Sequence, residues 1–153
     1  MRLLGVQYSW FKLLVPVICV GFLGCGGAEE DVPELVPATG IVTYKSEPLA
    51  GAAVNFVPRD GTPGTGAYGV TDAAGKFTLK HRSEAEGIEP GTYTVAVTKM
   101  TMPDGGPIPD GQDAADVGAI QIIPPKYSEA SNEMNPNIVT IPASGGEFPI
   151  DLK

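Results

Sequence analysis

The part of the sequence that decides the fold lies between residues 40 and 93 and consists of four short stretches. They are residues 40–44 (GIVTY), 48–56 (PLAGAAVNF), 70–79 (VTDAAGKFTL) and 90–93 (PGTY). Apolar and polar residues alternate within them, and glycine, proline and aspartate stand at their ends. This pattern is typical of short strands joined by tight turns. The sequence therefore predicts an all-β domain, namely a single antiparallel β-sandwich of about seven strands.

The same alternation gives the positions of the individual strands. We expect them at residues 39–45, 52–57, 67–71, 76–81, 92–98, 120–123, 138–141 and 147–152. The strand at 92–98 alternates most regularly, so it should be central. The last two should form a closing hairpin, with the final strand at a sheet edge because Pro149 has no backbone N–H. In the third strand, Tyr68 and Val70 are expected to share the core face. Asp72 and Gly75 predict a tight turn before the fourth strand.

The N-terminus has the features of an export signal. Arg2 and Lys12 precede an apolar run at residues 13–23, which has the length of a signal-peptide core and is too short to span a bilayer. The following Gly24-Cys25 resembles the bacterial lipobox, although Phe22 stands where an aliphatic residue is usual. The resemblance implies that Cys25 carries lipid and becomes the mature N-terminus. The alternative is an ordinary secretory signal that is cut nearby.

This interpretation divides the chain into three parts. Residues 1–24 are the predicted lipoprotein signal peptide, 25–38 the lipidated Cys25 and a flexible acidic tether, and 39–153 the β-domain with a long loop at 100–118. Because Gly26 rather than aspartate follows the cysteine, we expect the outer membrane of a bacterial envelope rather than the inner one. The mature chain would then hold no free thiol for a disulfide, and its stability must come from packing.

The charge of the mature domain limits its partners. The formal charge is −8 for the whole chain and −10 once Arg2 and Lys12 leave with the signal. Nucleic acid requires a basic face, so a nucleic-acid partner is not expected. An anionic membrane surface is disfavoured for the same reason. The expected contact with a membrane is through the lipid on Cys25.

The four stretches resemble a known domain family. A Gly-x-Val at 40–42, a Pro-Leu-x-Gly-Ala-x-Val at 48–54, a Thr-Asp-x-x-Gly-x-Phe at 71–77 and a Pro-Gly-x-Tyr-x-Val at 90–95 occur in the order of the carboxypeptidase regulatory-like domain. That domain is a transthyretin-like β-sandwich. With the lipobox, the chain looks like a small bacterial lipoprotein with one such domain. The resemblance implies a binding, structural or scaffolding module without catalysis of its own. The insert after Lys99 departs from the minimal domain.

The sequence offers few residues for chemistry. His81 is the only histidine, and the C-terminal motif of the transthyretin-like hydroxyisourate hydrolases is absent, so we expect no enzyme and no cofactor. The insert carries four acidic residues on a glycine-rich loop, which are weak candidates for calcium: Asp104, Asp110, Asp113 and Asp116. Their spacing does not match an EF-hand, so no metal is expected.

The aromatic residues leave one further alternative open. Tyrosine rings could form a platform for sugars, and the candidates are Tyr44, Tyr68, Tyr93 and Tyr127. The first three lie on expected core faces, which argues against this role. We therefore expect an anchored, non-catalytic envelope lipoprotein that binds or scaffolds an envelope protein or glycan, chiefly through loops 100–118 and 59–66. The alternatives are a carbohydrate- or calcium-binding module and, below that, a hydrolase accessory domain.

Overall fold

The computed structural model describes residues 34–59 and 61–153. The predicted signal peptide, Cys25 and the tether up to residue 33 lie outside the described residues. Within them, strands dominate and one short helix is present, so the all-β prediction is confirmed. The elements are β1 (Ala38–Tyr44), β2 (Glu47–Pro48), β3 (Ala53–Pro58), β4 (Ala67–Val70), β5 (Lys76–Thr78), β6 (Lys80–His81), β7 (Gly91–Thr98), β8 (Met100–Thr101), β9 (Ile120–Gln121), α1 (Pro125–Ser128), β10 (Ile138–Ile141), β11 (Gly146–Glu147) and β12 (Ile150–Leu152).

Two sheets contain most of the strands. In the first, β1 pairs in parallel with β11 and β12 and antiparallel with β2 and β5. The second is antiparallel throughout, with the order β10-β7-β3-β4-β6. The strands β8 and β9 form a separate two-stranded ribbon at the base of the long insert. The parallel pairings of β1 depart from the purely antiparallel arrangement that the sequence predicts.

One apolar core contains side chains from both sheets. Val42 of the first sheet and Val54, Phe56 and Val95 of the second are completely buried. The Phe56 ring lies 6.1 Å from the rings of both Phe77 and Tyr93, in tilted arrangements that aromatic pairs prefer. Alternate side chains of β3 and β5 are buried, as the alternation of their sequences predicts, whereas β7 is buried on both faces from Tyr93 to Val97.

Two local predictions are also confirmed. The strand β7 is central, since it pairs with β3 on one side and β10 on the other. The Asp72–Gly75 turn forms as expected: Asp72 Oδ1 accepts hydrogen bonds from the backbone N–H of Ala74 (2.8 Å) and Lys76 (2.9 Å). Gly75 has a φ of +75°, which glycine adopts at little cost.

The predicted closing hairpin is wrong. The strand β10 pairs with β7 in the second sheet, whereas β11 and β12 pair with β1 in the first. The chain turns after β10, where the N–H of Gly145 donates to Pro142, and the N–H of Gly146 then donates to Pro37 beside β1. The two runs therefore extend different sheets instead of pairing with each other. The final strand contacts only β1 among the described strands, in agreement with an edge position after Pro149.

The predicted inward face of β4 is also wrong. Ala67 and Gly69 are buried, whereas Tyr68 is half-buried and Val70 is 64% exposed. Thr71, the next residue, points inward because its hydroxyl donates to Leu49 O (2.6 Å) and accepts from the N–H of Ala52 (2.8 Å). A strand has a side-chain period of two, so a buried Thr71 forces Tyr68 and Val70 to the outer face.

The C-terminus is held by the helix that the sequence did not predict. Pro125 begins α1 at a position where a missing N–H costs nothing. The helix buries Tyr127, whose hydroxyl accepts from the N–H of Lys153 (3.0 Å) and donates to Lys153 O. No helix among the described residues is both long and apolar enough to cross a membrane.

Candidate functional site

One concave feature of the described residues is a groove on the outer surface, where the chain passes from one sheet to the other. Residues 76–81 begin as β5, paired with β1, and end as β6, paired with β4. A hollow with a volume of about 740 Å³ lies at this crossing and is lined by residues of β1, β4 and β5, by Asp72 and Lys80, and by Glu147 of β11. This volume lies within the range of 300–1,000 Å³ that is common for ligand sites. We call it the Tyr68 groove, since Tyr68 and Val70 form its apolar wall.

Glycines allow the chain segments below the groove to approach closely. A methyl group added to Gly40 would lie 2.2 Å from Phe148 O and 2.6 Å from the Phe77 ring. One added to Gly69 would lie 2.8 Å from Thr78 O. The floor is therefore backbone and the buried Phe77, packed without spare volume. A rigid floor of this kind would preserve the shape of the groove in the absence of a ligand.

The rim of the groove is polar and carries charges of both signs. The lining includes two basic residues, Lys76 and Lys80, and two acidic ones, Asp72 and Glu147, and all four are exposed. Among the described residues, none of these four belongs to an ion pair. Asp72 uses Oδ1 for its own turn, so Oδ2 is the oxygen that a ligand would reach. The rim thus offers hydrogen-bond donors and acceptors around an apolar wall.

The ring of Tyr68 has a defined orientation. Its hydroxyl donates a 2.7 Å hydrogen bond to Glu84 Oε1 across the loop that follows β6. This hydrogen bond is the main reason that the pKa of Tyr68 lies above its ordinary value, and partial burial adds to it. The phenol is therefore neutral at physiological pH, and its ring is held beside the groove. The sequence analysis named Tyr68 as a candidate but placed it on the core face of β4. Its outward position follows from the inward position of Thr71.

A second polar arrangement surrounds His81. Its Nε2 lies 3.0 Å from Glu89 Oε1 and 3.1 Å from Thr65 Oγ1, and its Nδ1 lies 2.8 Å from Ser83 Oγ. His81 and Glu89 are buried, whereas Ser83 and Thr65 are exposed. The N–H of Ser83 donates to Nδ1 at 3.2 Å, so Nδ1 is an acceptor and the proton of a neutral imidazole lies on Nε2. Nothing in the sequence indicated that Glu89 contacts His81.

The carboxylate of Glu89 is buried and only partly hydrogen-bonded among the described residues. Its Oε2 is buried and has no hydrogen-bond partner among the described residues. Gly64 packs so closely that an added methyl group would lie 2.2 Å from Glu89 Oε1. Tyr93 donates from its hydroxyl to Glu89 O at 2.8 Å. Burial, followed by the charge of Glu89, raises the pKa of Tyr93 to about 12.

The acidic residues that were weak calcium candidates are not brought together. In the described ranges, no group of three or more His, Cys, Asp or Glu side chains is placed to hold a metal ion. Asp104 Oδ1 accepts from the N–H of Gly106, and Asp113 O accepts from the N–H groups of Asp116 and Val117. Asp104 and Asp113 therefore take part in turns of the insert. Asp110 and Asp116 are exposed, as are the other two.

The two loops predicted to bind contribute no residue to the lining of the Tyr68 groove. Residues 105–108 of the insert line a smaller hollow of about 410 Å³ together with Gly51 and Lys99. Loop 59–66 is tied to β7, since Thr62 Oγ1 accepts from the N–H of Thr92 and donates to Thr92 O. Of the described tyrosines, Tyr93 and Tyr127 are buried, Tyr44 is half-buried and packs against the core, and Tyr68 lines the groove.

The comparisons with known proteins give no family for this chain. No protein-family model matches the sequence, and no curated protein matches it. Among solved structures it is similar to part of a 9R-lipoxygenase from Cyanothece PCC8801, with 17% identity over 78% of this chain and a TM-score of 0.38. The chain spans only 16% of the lipoxygenase chain. At this TM-score the similarity identifies neither a fold nor an activity.

Proposed function

We propose that this protein is a non-catalytic lipoprotein of the bacterial envelope, whose β-domain is a binding or scaffolding module. Lipid on Cys25 anchors the chain to a membrane, with the outer membrane as the expected site. The Tyr68 groove is the binding surface, in place of the loops that the sequence suggested. The observation that carries the proposal is the pre-formed groove with an exposed Val70 and an oriented Tyr68.

The fold that we propose for the module is a transthyretin-like sandwich. One core receives side chains from both sheets, which supports a two-layered arrangement. The four sequence motifs also occupy β1, the approach to β3, the β4–β5 turn and β7. The parallel pairing of β1 with β12 and the β8–β9 ribbon are additions to the simple seven-stranded form.

Binding through the groove is tested with a substitution that blocks it. The full chain, purified in detergent and immobilised, would be exposed separately to the glycan, membrane-protein and lipid fractions of the envelope. Val70→Glu places a bulky charge on the apolar wall without disturbing a buried site. The control is Ile138→Glu, which introduces the same charge at an apolar residue of β10 that is 51% exposed and does not line the groove. We expect one fraction to be retained by the wild type and by Ile138→Glu, and lost with Val70→Glu. Equal retention by both variants would contradict the proposal.

A second candidate function is that of a serine hydrolase. It is favoured because Ser83 contacts one nitrogen of His81 and Glu89 contacts the other. The imidazole is placed to accept the Ser83 proton at Nδ1 while Nε2 faces the buried carboxylate, as in a nucleophile–base–acid arrangement. Against it, the N–H of Ser83, a natural donor to an oxyanion, is already committed to His81. The Tyr68 groove, moreover, is not lined by any of these three residues. The binding role is therefore preferred.

The hydrolase candidate has its own experiment. The full chain would be treated with a fluorophosphonate, which labels activated serines covalently, and the modified residue located by mass spectrometry. Under the binding proposal we expect no labelling of Ser83 above that of an unactivated serine. Stoichiometric labelling that Ser83→Ala and His81→Gln each abolish would establish the enzyme instead.

A further inference from the structure

The Tyr68 groove has the chemistry of a site for neutral sugars. We propose that its ligand is a neutral oligosaccharide of the envelope, bound with one ring against Tyr68 and its hydroxyl groups on the rim. This inference rests on the proposed binding function and assigns it a ligand class. Three features support it: the apolar wall of the groove, its polar rim and the overall charge of the chain.

The wall supplies what the C–H face of a sugar ring needs. Tyr68 is half-buried, and its hydroxyl is held by Glu84 at 2.7 Å, so the ring keeps its orientation without a ligand. Val70, two residues along the same face of β4, extends the apolar surface. Because the aromatic ring is already held in place, it loses little conformational entropy when a ligand binds. This small cost matters most for ligands that bind weakly, such as sugars.

The rim supplies what the hydroxyl groups need. Lys76 and Lys80 donate hydrogen bonds, while Asp72 and Glu147 accept them. A sugar hydroxyl both donates and accepts, so a rim with both kinds of group suits it. A polyanion would meet Asp72 and Glu147, and a polycation would meet the two lysines, so the balanced rim disfavours both.

The charge of the chain points the same way. With a formal charge of −8, it repels phosphorylated or carboxylated polymers at long range. A neutral chain experiences no such repulsion. The groove volume of about 740 Å³ accommodates a short oligosaccharide rather than a single ring. Taken together, these features favour a neutral oligosaccharide over an acidic glycan or another charged polymer.

The test is calorimetric titration of the detergent-purified full chain with defined sugars. The probes are short neutral oligosaccharides of hexoses and of N-acetylhexosamines, with a sulfated oligosaccharide and an unrelated extended peptide for comparison. We expect saturable binding of at least one neutral series, weakened about tenfold or more by Tyr68→Ala and by less than about threefold by Tyr68→Phe, which keeps the ring. Ile138→Ala should bind like the wild type.

The remaining outcomes separate this inference from the proposed function. If Val70→Glu abolishes retention of an envelope protein while no neutral sugar binds, the groove is a protein-binding site and the sugar inference is wrong. Preference for the sulfated probe or the peptide would overturn it as well. Sugar binding that Tyr68→Ala leaves unchanged would show that the site lies elsewhere. Loss of sugar binding in Tyr68→Ala supports the inference only if this variant has the same melting temperature as Tyr68→Phe. If Tyr68→Ala does not fold, sugar binding is measured with Val70→Glu instead.

Discussion

At the scale of single residues, the buried pair of Glu89 and His81 connects three segments of the domain. The Glu89 carboxylate contacts His81 Nε2 at 3.0 Å, and its second oxygen has no partner among the described residues. A buried charge that loses its partner is strongly destabilising. The pair thereby links β6 to the segment before β7 and to Thr65 of loop 59–66. Stability rather than catalysis is the consequence that we expect from this cluster.

The first prediction concerns His81. His81→Ala leaves Glu89 buried without its partner and should lower the free energy of unfolding by about 3 kcal/mol. Ser83→Ala removes only an exposed hydroxyl from the same imidazole and should cost about 1 kcal/mol or less. Urea unfolding followed by circular dichroism measures both. Equal losses in the two variants would show that the Glu89 contact is not what matters.

The second prediction concerns the alkaline limit of stability. Because the pKa of Tyr93 is raised to about 12, the folded state holds this proton more tightly than the unfolded chain, whose tyrosine has a pKa of ~10. Its contribution is complete below pH ~10 and is lost as the pH rises through about 12. The urea midpoint should therefore fall across this window, and less steeply in Tyr93→Phe. A parallel fall in both proteins would assign the effect to other groups.

At the scale of elements, the close approach of β1 to its neighbours depends on Gly40. An alanine there would place a methyl group 2.2 Å from Phe148 O and against the Phe77 ring. Gly40→Ala should therefore destabilise by about 2 kcal/mol through overpacking. Gly106→Ala is the matched control, since its nearest neighbour is the flexible Asp104 carboxylate at 3.1 Å, and it should cost less than about 0.5 kcal/mol. Thermal unfolding distinguishes them, and similar melting temperatures would refute the packing argument.

Element positions followed from the sequence more readily than element partners. Alternation located β1, β3 and β7 and placed Tyr93 on a core face, where it is buried. It could not show that β10 and β12 join different sheets, because strand pairing depends on which edges the rest of the chain leaves open. The one-turn helix α1 is too short for a 3.6-residue pattern to appear.

The candidate site was harder to predict, for the same physical reason. Tyr68 and Val70 form the more apolar face of their run, but the hydrogen bonds of Thr71 cause the opposite face to be buried. The groove itself arises because residues 76–81 change from one sheet to the other, which is a property of the tertiary fold. Asp72, Lys76 and Lys80 were recognisable as outward-facing, but nothing in their spacing placed them around a common cavity.

At the scale of the whole molecule, the two ends of the described chain lie at opposite ends of the first sheet. The strands β1 and β12 run parallel, and Lys45 N–H donates to Leu152 O at 3.0 Å near the C-terminus. The seven residues of β1 span about 20 Å. A tether before Ala38 would therefore leave the C-terminal end of the domain farthest from the point of attachment.

The anchor is tested independently of the groove. Cys25→Ser removes the only proposed lipid attachment site, and we expect the chain to lose incorporation of labelled palmitate and to move from the membrane to the soluble fraction. A chain that remains in the membrane fraction without label would show that attachment does not depend on Cys25. Cys19→Ser, within the predicted signal peptide, is the control and should leave both properties unchanged.

The central claim is that this protein binds a component of the envelope through the Tyr68 groove, and one measurement tests it most directly. A photo-crosslinking amino acid is introduced at Val70 in the full chain, expressed in cells, and irradiated. The account predicts a discrete adduct from position 70 and none from Ile138, an exposed apolar residue on β10. No adduct at position 70, or the same adduct from both positions, would contradict the claim.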